Sequence, residues 1–190
     1  LNNNMITYVN TLSNTIICYN MFMKILKTNK HISRVIKKAY KAIEDLTPLE
    51  FDCGQLCNNK CCKEGSEGMY LFPFEFQYLI DKTDKDIIHT DNDFDLLICN
   101  GKCDRKYRPL ACRIFPLFPY VNNKGEIEVK FDLRARNICP LQFKDMPEIQ
   151  IQKRFVKRIK NIFKKLIKYQ VFYDYCRKLT EEINFLKKFY

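Results

Sequence analysis

Apolar residues recur at three- and four-residue steps along two stretches of the chain. Between Ser33 and Asp45, Val35, Ile36, Ala39, Tyr40 and Ile43, continued by Leu46, face one side, and Arg34, Lys37, Lys38 and Lys41 the other, which predicts an amphipathic helix. From Pro147 onward Phe155, Ile159, Ile162, Leu166, Tyr169, Tyr173 and Cys176, continuing to Ile183 and Leu186, keep the same period, with Lys153, Lys157, Lys160, Lys164 and Lys168 largely opposite. That is a long amphipathic helix, with a break expected near Asp174. Thr47-Pro48-Leu49-Glu50 has the form of a capping box with proline at the first helical position, announcing a short helix that Gly54 would stop. Pro73 opens another short helix, Phe74 to Ile80. Leu117–Val121 and Glu126–Phe131 flank Asn122-Asn123-Lys124-Gly125 and read as a β-hairpin, with Glu126, Glu128 and Lys130 alternating with Ile127, Val129 and Phe131. Leu96-Leu97-Ile98 reads as a short strand and the Asp-rich stretch 81–95 as a surface loop.

These elements predict one α+β domain, mostly helical, around an irregular cysteine-rich centre stapled by metal. Residues 1–46 form a lead-in and helix, 47–146 the cysteine-bearing core, and 147–190 basic helices packed on the same domain. The 190 residues, 46% hydrophobic and 29% charged, suit one folded domain. The formal charge of +11 is unevenly placed: residues 147–190 hold 12 Lys+Arg against 4 Asp+Glu, so +8 lies in the last quarter. The first 23 residues carry no charge, but Asn2, Asn3, Asn4, Asn10, Asn14 and Asn20 interrupt every apolar run short of a membrane span. Lys24, Lys27 and Lys30 follow that stretch instead of preceding it, which argues against a signal peptide and for a cytoplasmic, reducing compartment.

Ten cysteines in such a compartment need a reason, since thiols there stay reduced. Eight fall into two groups: Cys53, Cys57, Cys61 and Cys62, then Cys99, Cys103, Cys112 and, after the hairpin, Cys139. Short spacings let soft thiolates converge on one ion with little chain-closure entropy, and an all-thiolate set suits zinc or iron, including an iron–sulfur cluster, not calcium or magnesium. Disulfides and inert buried thiols are the competing readings. Neighbouring Cys61 and Cys62 would point apart in regular structure, so they serve two metals or only one of them ligates. Eight thiolates divide into two four-ligand sites. Each would carry a charge near −2, which Arg105, Lys106, Arg108 and Arg113 could offset; Arg108 and Arg113 are the expected hydrogen-bond donors to sulfur. Cys18 and Cys176, alone in helix-like segments, read as small hydrophobes.

The double cysteine Cys61-Cys62, with Tyr107-Arg108-Pro109-Leu110-Ala111-Cys112-Arg113-Ile114-Phe115-Pro116 and Cys139-Pro140, resembles the YkgJ-type cysteine-cluster family, a zinc- or iron-chelating domain. Gly68-Met69-Tyr70-Leu71-Phe72-Pro73 is similar to the stretch that follows the double cysteine in some members. The resemblance covers about residues 50–142, and the interval from Cys103 to Cys112 is one residue shorter than the commoner pattern. It implies metal chelation with an undefined biochemical role. A related pattern in flagellin lysine N-methylases makes an iron–sulfur redox or methyl-transfer enzyme the alternative.

Other signals fail. Asp91, Asp93 and Asp95 begin like a calcium loop, but Leu96 stands where glycine is needed and Lys102 where glutamate is needed. His31 and His89 lie far from the cysteines in sequence and read as surface residues. No Gly-x-Gly pair exists, so the dinucleotide and P-loop fingerprints are absent. Lys157, Lys160, Lys164 and Lys168 read first as a solvated face, and second as a docking surface for nucleic acid or an acidic protein, which would make this a nucleic-acid-associated zinc protein.

Overall fold

Tyr40 and Ile43 are buried and Lys41 is exposed, as the helical period requires. The helix that carries Tyr40, α1, runs over residues 31–42 in the computed structural model, which describes residues 31–62, 68–91, 94–101, 104–142 and 150–189. The lead-in 1–30 with Cys18, and Cys103, lie outside the described residues. Contacts divide the chain into residues 1–37 and residues 38–190; the second unit carries the strands and all described cysteines.

The capping box at Thr47 does not start a helix. Thr47 Oγ1 donates to the Leu49 carbonyl, and the Pro48 carbonyl, which a helix would use, accepts from Gln152 N at 2.9 Å. Helical backbone appears instead at Cys53–Leu56 as a 3₁₀ turn capped by Asp52.

Two antiparallel sheets follow. In the first, β1 (Gly68–Tyr70), β2 (Ile87–His89) and β3 (Asp95–Ile98) lie in the order β1-β3-β2. The acidic stretch 81–95 is therefore not all loop: Ile87, Ile88 and His89 pair with Leu97, Leu96 and Asp95. Gly68 is needed for the pairing, because a Cβ there would meet the Leu97 carbonyl oxygen at 2.5 Å. Helix α2 (Glu75–Leu79) begins after Phe74, whose φ of 67° is left-handed, and α3 (Leu110–Ile114) precedes the second sheet.

The hairpin β4 (Leu117–Val121) and β5 (Ile127–Phe131) pairs Leu117 with Phe131 and Val121 with Ile127, as predicted. Asn122 builds its turn, its Oδ1 accepting from Lys124 N and Glu126 N, while Gly125 takes the left-handed φ of 76°. Every residue of β4 is buried.

Helices α4 (Lys153–Leu166) and α5 (Gln170–Leu186) close the hairpin, α4 packing on β5 and α5 on β4. Phe155, Ile159, Phe163 and Leu166 of α4 and Phe172, Leu179 and Ile183 of α5 are buried. The phenyl ring of Phe72 stacks on Phe163 and Tyr175 with centroids 4.9 and 5.0 Å away, joining the β1–α2 turn to both helices. The break between helices falls at Ile167–Tyr169, not near Asp174: Tyr169 is extended (φ −96°, ψ 122°), and Asp174 stays helical with Oδ1 accepting from Gln170 Nε2 at 2.9 Å. The architecture is α+β and dominated by helix. No described helix is long and apolar enough to cross a membrane.

Candidate metal centre

Ten residues fold the first cysteine group into a knuckle. Asp52 accepts from Gly54 N at 3.0 Å, and the Gly54 carbonyl accepts from Cys57 N at 3.3 Å and Asn59 N at 3.0 Å. Asn58 and Asn59 take left-handed φ of 50° and 52°, which asparagine tolerates better than most side chains. The chain then reverses, Cys62 N reaching the Asn59 carbonyl at 2.7 Å. Lys60–Cys62 forms a second 3₁₀ turn, and in it the sulfurs of Cys61 and Cys62 approach to 3.9 Å. A tetrahedral thiolate site with metal–sulfur bonds near 2.3 Å has sulfur–sulfur edges of about 3.8 Å. Adjacency therefore does not drive these two thiols apart, contrary to the expectation from regular helix or strand.

Cys139 arrives from the strap after the hairpin. Asp132 N is held by the Pro116 carbonyl at 2.8 Å, and the Asp132 carboxylate caps the next turn at Arg134 N and grips the Arg134 guanidinium at 2.6–3.2 Å. Cys139 N then bonds the Ala135 carbonyl at 2.8 Å, and the side chain is buried with Leu49, Ala135 and Leu141. Cys53 and Leu56 of the knuckle pack against that same cluster. Lys60 Nζ ties the two together from outside, donating to the Asn137 carbonyl at 3.2 Å. Cys139 thus packs beside Cys53 of the first cysteine group.

The charges agree with this arrangement. Burial, with repulsion from Cys53 and Cys57 added, pushes the Cys139 thiol up to about 11. Burial also raises Cys53, followed by repulsion from Asp52 and Cys57. Cys61 is raised first by its hydrogen bond with Cys62, and Cys53 and Cys57 add to the rise. Cys62 goes the other way. The bond from Cys61 lowers it, and Arg108 and Lys85 favour its thiolate.

The positive charge of Arg108 acts on two of the thiols, lowering Cys53 as well as Cys62. Arg113 does something else. Its Nε donates to the Arg108 carbonyl at 2.8 Å and its Nη2 to those of Arg105 and Lys106 at 2.6 and 2.8 Å, while Nη1 is buried with no hydrogen-bond partner among the described residues. The guanidinium lies 4.6 Å from the Tyr40 ring centroid. Arg113 therefore shapes the Arg105–Tyr107 turn that presents Arg108.

Sequence reasoning missed two residues here. Glu75 is fully buried, its carboxylate accepting from Phe72 N and Leu110 N, each at 2.7 Å, and from the Tyr40 hydroxyl. It fastens α1, the start of α2 and the start of Cys112-bearing α3; the only trace in the sequence is a carboxylate inside the run Leu71-Phe72-Pro73-Phe74-Glu75-Phe76. Lys85 has a side chain only 3% exposed, bonds the Asn100 side chain next to Cys99, and acts on Cys62. Nothing distinguishes it in the acidic stretch around it.

Cys99 follows β3 half-buried and Cys112 sits half-buried inside α3. Cys176 is fully buried in α5, a small hydrophobe as expected. His89 is exposed, its Nδ1 3.1 Å from Asp95 Oδ1 across the β2–β3 pair. Lys157, Lys160, Lys164 and Lys168 are all exposed. None of the described cysteines forms a disulfide. Among the described residues no three Cys, His, Asp or Glu side chains converge closely enough to hold one ion. The donor chemistry fits a soft metal: neutral or anionic thiols, flanked by Arg108 and Lys85, with Cys61 and Cys62 at about a tetrahedral edge. Comparison with protein-family models, with curated proteins and with solved structures gives no match.

Proposed function

We propose that this chain is a metal-binding cysteine-cluster protein, holding zinc or iron, the latter as single ions or an iron–sulfur cluster. The thiolates would come from Cys53, Cys57, Cys61, Cys62 and Cys139. The observation that supports this is the meeting of Cys53 with Cys139 in one buried cluster, 86 residues apart in sequence and bonded to no other sulfur. Several thiols gathered this way repel one another once ionised, and a cation removes that repulsion. A thiolate-bound metal supplies folding energy and, if iron, a redox centre. Such a site belongs to a compartment that keeps thiols reduced, which favours the cytoplasm.

Elemental analysis with an absorption spectrum, on protein purified without oxygen, tests this directly. Zinc or iron in simple ratio to protein is expected, with visible absorbance only for iron. Cys139→Ser should lower metal content as much as Cys57→Ser does. Metal-free protein that takes up neither ion on titration would end the proposal, and full metal retention by Cys139→Ser alone would end the grouping.

A further inference from the structure

Helix α4 carries Lys153, Arg154, Lys157, Arg158, Lys160, Lys164 and Lys165 and no acidic residue. All seven are exposed, as is Lys168 just beyond. At 100° per residue, Lys153, Lys157, Lys160 and Lys164 form one stripe along about 16 Å of axis. Their placement works against the helix. Lys153 and Arg154 stand at its N-terminal end, where the helix dipole favours anions. Lys153 and Lys157, Arg154 and Arg158, and Lys160 and Lys164 are like charges four residues apart, each pair costing a few tenths of a kcal/mol. Relief nearby is slight: Glu128 feels Lys160 but is bonded to Lys130, and Arg158 Nη1 donates to the Ala42 carbonyl. Helix α5 shows an ordinary solvated face in the same molecule, with Arg177 paired to Glu181 at 2.9 Å.

We propose that this face of α4 docks on the phosphate backbone of duplex nucleic acid. A DNA duplex carries roughly ten phosphates over 16 Å, so a row of unopposed lysines finds there the counter-charge it lacks in the protein. The alternatives fit less well. A membrane-surface helix inserts its apolar face, and here Phe155, Ile159, Phe163 and Leu166 are fully buried in the core. A protein interface needs an apolar or aromatic anchor, and a single-strand groove needs rings for base stacking. The lysine stripe has neither. Recognition is therefore by backbone and independent of sequence.

The test uses the full chain and a fluorescein-labelled DNA duplex of about 20 base pairs, with binding measured between about 25 and 200 mM salt. With four to five phosphates neutralised, log K should fall against log salt with a slope of about −4. Replacing Lys157, Lys160 and Lys164 by Gln should reduce that slope by nearly three and weaken low-salt binding at least tenfold. Helical circular dichroism and melting of this variant should be no lower than the parent's, since repulsion is removed. The same charge loss on or beyond α5, with Arg177, Lys187 and Lys188 changed to Gln, should leave the slope unchanged. A scrambled duplex should bind equally. Equal loss in both variants, binding insensitive to salt, tighter binding of oligothymidine, or equal binding of polyglutamate would each overturn the assignment.

Discussion

A methyl group on Gly54 would meet Asn59 Oδ1 at 2.0 Å and Asp52 Oδ1 at 3.2 Å. Gly54→Ala should therefore swing Asn59 out, loosen the cysteine knuckle by about 1–2 kcal/mol, and speed the reaction of Cys53 and Cys57 with a disulfide reagent. Adding Asn59→Gly should restore the slow rate, because glycine removes the clashing amide and accepts the left-handed φ of 52°. A double variant as reactive as the single would show that the contact does not close the knuckle. Glu75 makes a second prediction. Burial raises its carboxyl above the ordinary value near 4.3, although the Tyr40 hydroxyl, two backbone donors and Arg113 pull it down. A folded value above the unfolded one gives stability that is full at low pH and lost as pH rises through the folded value. Glu75→Gln does not titrate, and its amide would set N–H against Phe72 N. The variant should be less stable by about 1–3 kcal/mol in acid, with a gap to the parent that narrows toward neutral pH in urea unfolding at several pH values. A gap that widens with pH would reverse the sign assigned to Glu75. Cys176→Ser buries a hydroxyl where no water reaches and should cost about 1–2 kcal/mol without changing metal content.

Elements were legible where a period ran long enough to be counted. The hairpin at Leu117–Phe131 is signalled by its Asn-Asn-Lys-Gly turn, and the C-terminal helical stretch by its long period, because one face of α4 and of α5 lies against the core. β1 and β2 have three residues each, too few for alternation to register, and their pairing depends on β3 supplying the partner edge. The capping box at Thr47 misleads because a distant residue, Gln152, takes the Pro48 carbonyl. The helix break is displaced for a related reason. It follows the need of α5 to lie on β4 while α4 lies on β5, and the clasp for that is Thr180, whose Oγ1 accepts from Val121 N at 3.1 Å and donates to the Cys176 carbonyl at 2.7 Å. Thr180→Val keeps the shape and removes both bonds, leaving Val121 N–H buried and unpaired. A loss of about 1–3 kcal/mol is expected in denaturant unfolding; a neutral result would mean the clasp adds nothing to packing.

At the scale of the molecule, the fold sets side by side two thiols that lie far apart in the sequence, Cys53 and Cys139. Spacing brings Cys53 and Cys57 together, but only tertiary structure takes Cys139 to them, by burying it with Leu49, Ala135 and Leu141. The same separation tells what metal removal should do. Structural zinc binds thiolate sites with roughly 10–16 kcal/mol, as much as the net stability of a domain. That energy falls on residues 52–62 and 132–142, whereas Phe155, Ile159, Phe163, Phe172, Leu179 and Ile183 are buried against one another and the hairpin without any thiol ligand. Chelation should therefore act locally. Amide hydrogen exchange of 52–62 and 132–142 should accelerate by orders of magnitude, while α4, α5, β4 and β5 keep their protection and their helical signal. Exchange that rises everywhere at once would make the metal the keystone of the whole fold; exchange unchanged at Cys53, Cys57 and Cys139 would mean these sulfurs hold no ion.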